Sequence, residues 1–158
     1  LVGSEMCIRD SLHPALPEAG DRQVAKTYFE DGSKAQKIKE WQRAKAAYLE
    51  AVKADPAWFE ARFKLGQASY YTGETSLALQ SFENALSIDP NDGSARFNFA
   101  MSLVQGNYFA EAANELETFL QFDPNSIQGH LEVVCGNTNG FHINDSETIL
   151  SAFVVDLR

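Results

Sequence analysis

The sequence predicts an all-α solenoid built from helix–turn–helix repeats. Two observations carry that prediction. Asp55-Pro56, Asp89-Pro90 and Asp123-Pro124 recur at a spacing of 34 residues, the length of a two-helix repeat unit. Within each period, apolar residues fall at three- and four-residue steps, the stripe of an amphipathic helix. The 158-residue length and 44% apolar content suit one folded domain and exclude a disordered chain. No run of about 18 apolar residues occurs, so no membrane insertion is expected.

Stacking the chain at the 34-residue period aligns further columns. Phe29, Phe63, Phe97 and Leu131 share one, and Tyr28, Arg62, Arg96 and His130 the column before it. Gly32, Gly66 and Ala100 share a small-residue column, as do Ala44, Ala78 and Ala112. Tyr48, Phe82 and Leu116 form a large apolar column, and Ala51, Ala85 and Phe119 complete the set. Two helices in a tight hairpin approach closely only where glycine or alanine sits at the crossing.

Each unit reads as two helices. Phe59 to Tyr71 forms the first helix of the second unit and Gly73 ends it, with Gly106 doing the same in the third. Ser76 to Ile88 forms the second helix, with Leu79, Phe82 and Leu86 on its stripe. Asp-Pro closes the unit, because proline disfavours helix at the residue before it. Proline is then expected to open the next helix in its first turn, where a missing N–H costs nothing.

These columns resemble the tetratricopeptide repeat, a helix–turn–helix unit with a large residue, a small one, an aromatic, alanine and a closing proline. Three units match, at about 25–58, 59–92 and 93–126. Asp31, where an apolar residue is usual, and Phe119, where a small one is usual, depart from the pattern. The resemblance implies a right-handed superhelix whose first helices line a concave groove that takes peptide ligands. Carried over residue by residue, the groove positions of the first unit are Lys26, Phe29, Ser33, Gln36 and Lys37. Those of the second are Glu60, Phe63, Gln67, Tyr70 and Tyr71. Those of the third are Ser94, Phe97, Met101, Val104 and Gln105. The candidate peptide-binding residues are Phe29, Phe63, Gln67, Tyr70, Tyr71, Phe97, Met101 and Val104, an aromatic and apolar set of the kind that marks interaction sites. For the three phenylalanines, packing between units is the competing reading. One subfamily grips chaperone carboxylate tails with a lysine/asparagine clamp. Phe29 and Phe63 stand where its lysine belongs and Ser33 where its asparagine does, so an adaptor of that type is not expected.

The flanks read differently. Residues 1–11 back-translate to a string that matches, apart from its last base, a widely used transposon-based sequencing adapter. They are set aside as an artefact, which points to an assembled environmental read with either end open to truncation; with the natural start codon missing, the sequence leaves the compartment open between the cytoplasm and the periplasm of a bacterium. Residues 12–20, with Pro14 and Pro17, read as a flexible linker. Residues 127–158 read as a divergent fourth unit or C-terminal cap, with a frameshifted end as the alternative. Gly136–Asp145 forms its loop and Ile149, Leu150, Phe153 and Val154 a closing helical stripe.

Charge excludes some functions. The net charge of −9 argues against nucleic acid as a partner. Residues 12–64 hold ten basic and eight acidic groups, whereas 65–158 hold two and twelve. Lys34, Lys37, Lys39, Arg43 and Lys45 cluster near the first turn. Complementary ends allow weak head-to-tail homo-oligomers, with a solvated face as the plainer reading. His13, His130, Cys135 and His142 have no metal-ligand spacing, and no nucleophile or phosphate-loop motif appears. Asn144-Asp145-Ser146 fits a glycosylation sequon and also a helix cap. No cofactor, metal or catalytic residue is therefore expected. The function read from the sequence is a scaffold or adaptor that binds a peptide or partner protein in the groove. Its rivals are a substrate-recruiting fragment of a larger enzyme and a self-associating spacer.

Overall fold

A computed structural model of the chain describes residues 16–122. Six helices follow one another: α1 (Arg22–Lys37), α2 (Trp41–Ala54), α3 (Phe59–Tyr71), α4 (Thr75–Ile88), α5 (Gly93–Gln105) and α6 (Phe109–Phe122). They pair as α1/α2, α3/α4 and α5/α6, and each hairpin packs on the next. Among the described residues all regular structure is helical. The expected adapter segment, residues 12–15 of the expected linker, the end of the third unit and the divergent fourth unit lie outside the described residues.

The turn inside each hairpin repeats with the chain's period. Its left-handed residues are Lys39 (φ 59°), Gly73 (φ 77°) and Asn107 (φ 63°). The residue that follows, Glu40, Glu74 or Tyr108, donates its amide back into the preceding helix. The acceptors are the carbonyls of Ala35, Ser69 and Leu103, at 2.9–3.0 Å. Gly106 does end α5, as its C-cap with φ −81°. The counterpart of Gly73, however, is Asn107, because asparagine also tolerates the left-handed region.

The link between hairpins corrects one expectation. Pro56 and Pro90 do not open the next helix. Helices α2 and α4 end at Ala54 and Ile88, with Asp55 and Asp89 extended as C-caps. Each proline then sits second in a turn closed by Trp58 N–H to Asp55 O (3.2 Å) and Asp92 N–H to Asp89 O (3.4 Å). Aspartate first and proline second is the favoured order for such a turn. The aspartate carboxylates accept from the amides two residues on, Ala57 (3.2 Å) and Asn91 (3.1 Å). Arg62 and Arg96, in one sequence column, donate to the carbonyls of Pro56 (2.5 Å) and Pro90 (2.6 Å), which ties each turn to the helix that follows.

The core runs between hairpins as well as within them. Tyr48, Ala35 and Ala44 of the first hairpin pack with Leu65 and Ala68 of α3. Trp58, at the N-cap of α3, packs with Ala25, Ala51 and Ala61. Tyr48 and Phe82 are fully buried, each contributing about 2 kcal/mol of apolar transfer free energy. A methyl group on Gly32 would stand 2.7 Å from the Tyr48 ring, and one on Gly66 2.7 Å from Phe82. The small-residue column is therefore where the large ring of the facing helix lies. In the third unit both partners change together, to Ala100 and Leu116. Phe119, the departure from the repeat pattern, has its own compensation: a methyl group on Gly93 would stand 2.8 Å from its ring. The other departure, Asp31, is exposed and pairs with Lys34 at 3.0 Å.

Candidate peptide-binding face

Helix α3 buries Ala61, Leu65, Gly66, Ala68 and Ser69. At 3.6 residues per turn the opposite face carries Glu60, Phe63, Lys64, Gln67, Tyr70 and Tyr71. Glu60 and Tyr71 are exposed and the other four are half-buried. The corresponding face of α5 carries Phe97, Met101 and Val104, all half-buried, with exposed Ser94 and Gln105. On α1, Phe29, Ser33 and Gln36 are half-buried, and Lys26 and Lys37 are exposed.

The three phenylalanines each lie against a ring of their own hairpin. Phe29 is 5.4 Å from Tyr48, and also 4.6 Å from Trp58 of the next hairpin. Phe63 is 5.9 Å from Phe82 and 6.1 Å from Phe59. Phe97 is 5.9 Å from Phe119. One side of each ring thus serves packing, and the residue keeps partial exposure on the other. The Tyr48 hydroxyl donates to Gln36 at 2.6 Å, which draws that residue toward the hairpin interior. Burial pushes the Tyr48 phenol pKa up, against the lowering effect of its bond with Ser33.

The tyrosines extend the face toward the hairpin tips. Tyr71, 59% exposed, stacks on Trp41 at 4.1 Å and meets Tyr70 edge-on at 5.5 Å. Burial, then the neighbouring Tyr71, pushes the Tyr70 phenol pKa up. The Tyr70 carbonyl accepts from Gln105 Nε2 at 3.4 Å, a link from the second hairpin to the third. Gln67 Oε1 accepts from Lys64 at 3.0 Å.

Two residues of this surface escape the sequence reading. Lys64 lies one helical turn from Glu60 and three residues from Gln67, so its spacing was a sufficient signal. Its ammonium lies 5.7 Å from the Phe63 ring centroid, and burial lowers its pKa. Trp41 opens a second helix, whereas the groove positions of the repeat pattern all fall on first helices. His130, Cys135 and His142, and His13, lie outside the described residues. Among the described residues no cluster of potential metal ligands occurs.

Fold and surface together define a helical-repeat solenoid. Residues 59–92 match the family model of the tetratricopeptide repeat, and the fold of the chain is that of a tetratricopeptide-repeat domain. The tetratricopeptide-repeat domain of Arabidopsis OM64 is 24% identical, with a TM-score of 0.62 over 66% of this chain and 87% of that one. The first such domain of Spaghetti (RPAP3), solved with the HSP90 peptide SRMEEVD, is 17% identical, with a TM-score of 0.68 over 89% and 98%. MamA of AMB-1 is 26% identical, with a TM-score of 0.60 over 63% of this chain and 59% of MamA. Among curated proteins none matches.

Proposed function

We propose that the chain is a protein-interaction module that takes an extended peptide along the face formed by α1, α3 and α5. The observation that carries this reading is the open side of α3, where Phe63, Gln67, Tyr70 and Tyr71 sit opposite the buried stripe and are half-buried or exposed. Aromatic rings that are already held in place lose little entropy on binding and supply large contact areas. Similar structures solved with bound HSP90 and HSP70 peptides support a peptide as the class of ligand. The partner differs from those chaperone tails, since Phe29, Ser33 and Phe63 occupy the clamp positions. The role is binding rather than catalysis.

Selection from a random peptide display library against the full chain tests the reading. Selected peptides are expected to bind the Phe63→Ala/Tyr70→Ala variant at least tenfold more weakly, while its far-ultraviolet circular dichroism stays helical. Failure to select any peptide, or equal binding by the two proteins, overturns it.

A further inference from the structure

The three hairpin turns share one backbone geometry and differ in the side chains they carry. In each, the C-cap of the first helix is followed by the left-handed residue: Ile38–Lys39, Thr72–Gly73 and Gly106–Asn107. Glycine and asparagine tolerate the left-handed region, and lysine is disfavoured there. Ile38 is 64% exposed, where the other turns place threonine and glycine. The turn itself requires neither an aliphatic side chain nor a long cation at these positions.

Charge at this turn is positive once its ion pairs are set aside. Lys34 pairs with Asp31, Arg43 with Glu40 and Lys45 with Glu74. Lys37 and Lys39, on either side of Ile38, are exposed and join none of the ion pairs among the described residues. Two positive charges therefore bracket an exposed aliphatic group, on a chain whose net charge is −9. Aromatic rings lie at the same edge. Trp41 opens α2 just beyond the turn and stacks at 4.1 Å on exposed Tyr71, the last residue of α3.

These chemistries coincide at an anionic lipid surface. An aliphatic tip enters the boundary between headgroups and acyl chains. Lysines beside it keep their ammonium groups among the phosphates and gain from the negative surface potential. Tryptophan and tyrosine favour the headgroup level. Protein interfaces, by contrast, are depleted in lysine. Among the described residues no helix is long and apolar enough to cross a membrane, so the contact is a peripheral one.

We propose that the turn between α1 and α2 docks the protein on an anionic lipid surface, with Ile38 as the apolar tip and Lys37 and Lys39 as the charges. The site is separate from the face of α3 and α5 assigned to peptide, apart from Tyr71 at the edge they share.

Cosedimentation of the full chain with vesicles tests it, using phosphatidylcholine alone or with about 40% phosphatidylserine. About tenfold more protein is expected to pellet with the anionic vesicles at low salt, and the excess should fall as salt screens the lysines. Ile38→Ser should lower that binding about fivefold. Lys37→Gln/Lys39→Gln should erase the difference between the two vesicles. Lys39→Gly should raise the thermal midpoint, because glycine suits the left-handed position, while lowering vesicle binding. A variant that folds better and docks worse separates docking from folding. Equal pelleting with both vesicles, or none, overturns the proposal. So does lysine-dependent binding that Ile38→Ser leaves unchanged. Binding to polyglutamate that needs Lys37 and Lys39, without binding to vesicles, reassigns the turn to an acidic protein and likewise overturns it.

Discussion

Asp55 and Asp89 occupy the same place in successive units and live in different surroundings. Asp89 is exposed, whereas Asp55 is 1% exposed. The start of α1 and the residue before its N-cap account for the difference. Gly20 N–H donates to the Asp55 carboxylate at 3.2 Å, Arg22 forms an ion pair with it, and Asp21 N–H donates to Ala54 O at 2.8 Å. The Arg22 guanidinium also lies 4.7 Å over the Trp58 ring. Burial pushes the Asp55 pKa up, but the hydrogen bonds from Arg22, Gly20 and Ala57 and the Arg22 charge outweigh it and hold the carboxyl below its usual value. A depressed folded-state pKa stabilises the protein above the unfolded pKa of about 4, and the contribution is lost as pH falls through the folded value. Asp55→Ala should therefore cost about 1–3 kcal/mol at neutral pH, the penalty for unmet partners. Asp89→Ala should cost about 0.5 kcal/mol or less. Urea unfolding from pH 7 to pH 3 should show the gap between Asp55→Asn and the native chain narrowing below about pH 4. A gap that is independent of pH would show that the carboxylate charge has no part in it.

Within the hairpins, the columns were legible and their pairing was not. A 34-residue period shows that Gly32, Gly66 and Ala100 are equivalent, and separately that Tyr48, Phe82 and Leu116 are. It does not show that the two columns touch. In three dimensions a methyl on either glycine collides with the facing ring, and the third unit fits alanine with the smaller leucine. Gly66→Ala should accordingly cost about 1–3 kcal/mol through overpacking. Adding Phe82→Leu should give less than the sum of the two single costs, with a coupling of about 1 kcal/mol in a thermal-unfolding cycle. Strict additivity would refute the pairing. The turns had a similar blind spot. Gly73 announces a left-handed residue, but Lys39 does so in no way that composition reveals, and its conformation follows from the closure imposed by the packed helices on either side. The Asp-Pro pairs marked unit ends correctly, while the place of the proline in a turn rather than a helix depended on hydrogen bonds that residue types alone do not determine.

For the molecule as a whole, the links between hairpins set how cooperatively it unfolds. Lys45 pairs with Glu74 and Trp41 stacks on Tyr71 across the first junction. Gln105 reaches Thr75 (3.2 Å) and Tyr70 across the second. Trp58 is the largest side chain among those buried at the first junction, 8% exposed against Ala25, Ala51 and Ala61. Trp58→Ala should cost about 3–5 kcal/mol and, because repeat proteins are stabilised unit by unit and junction by junction, should broaden the urea transition. A transition that shifts without broadening would show that the hairpins remain coupled by other contacts. The candidate face was named from the resemblance to the repeat pattern, and in the fold Phe63, Gln67 and Tyr71 lie on the side of α3 opposite its buried stripe. Lys64 shares that side but is not among the positions the pattern names.

The glycine–ring and alanine–leucine pairings also govern how such a chain can be shuffled by recombination. A crossover at an Asp-Pro turn transfers both partners of a pair together, sixteen residues apart in each unit. A crossover inside a hairpin separates them. Joining α5 to α4 would set Ala100 against Phe82, and joining α3 to α6 would leave Gly66 facing the shorter Leu116. The inheritable module is thus the intact hairpin, and chimeras cut at residues 56 or 90 should express and fold where those cut at 73 or 107 do not.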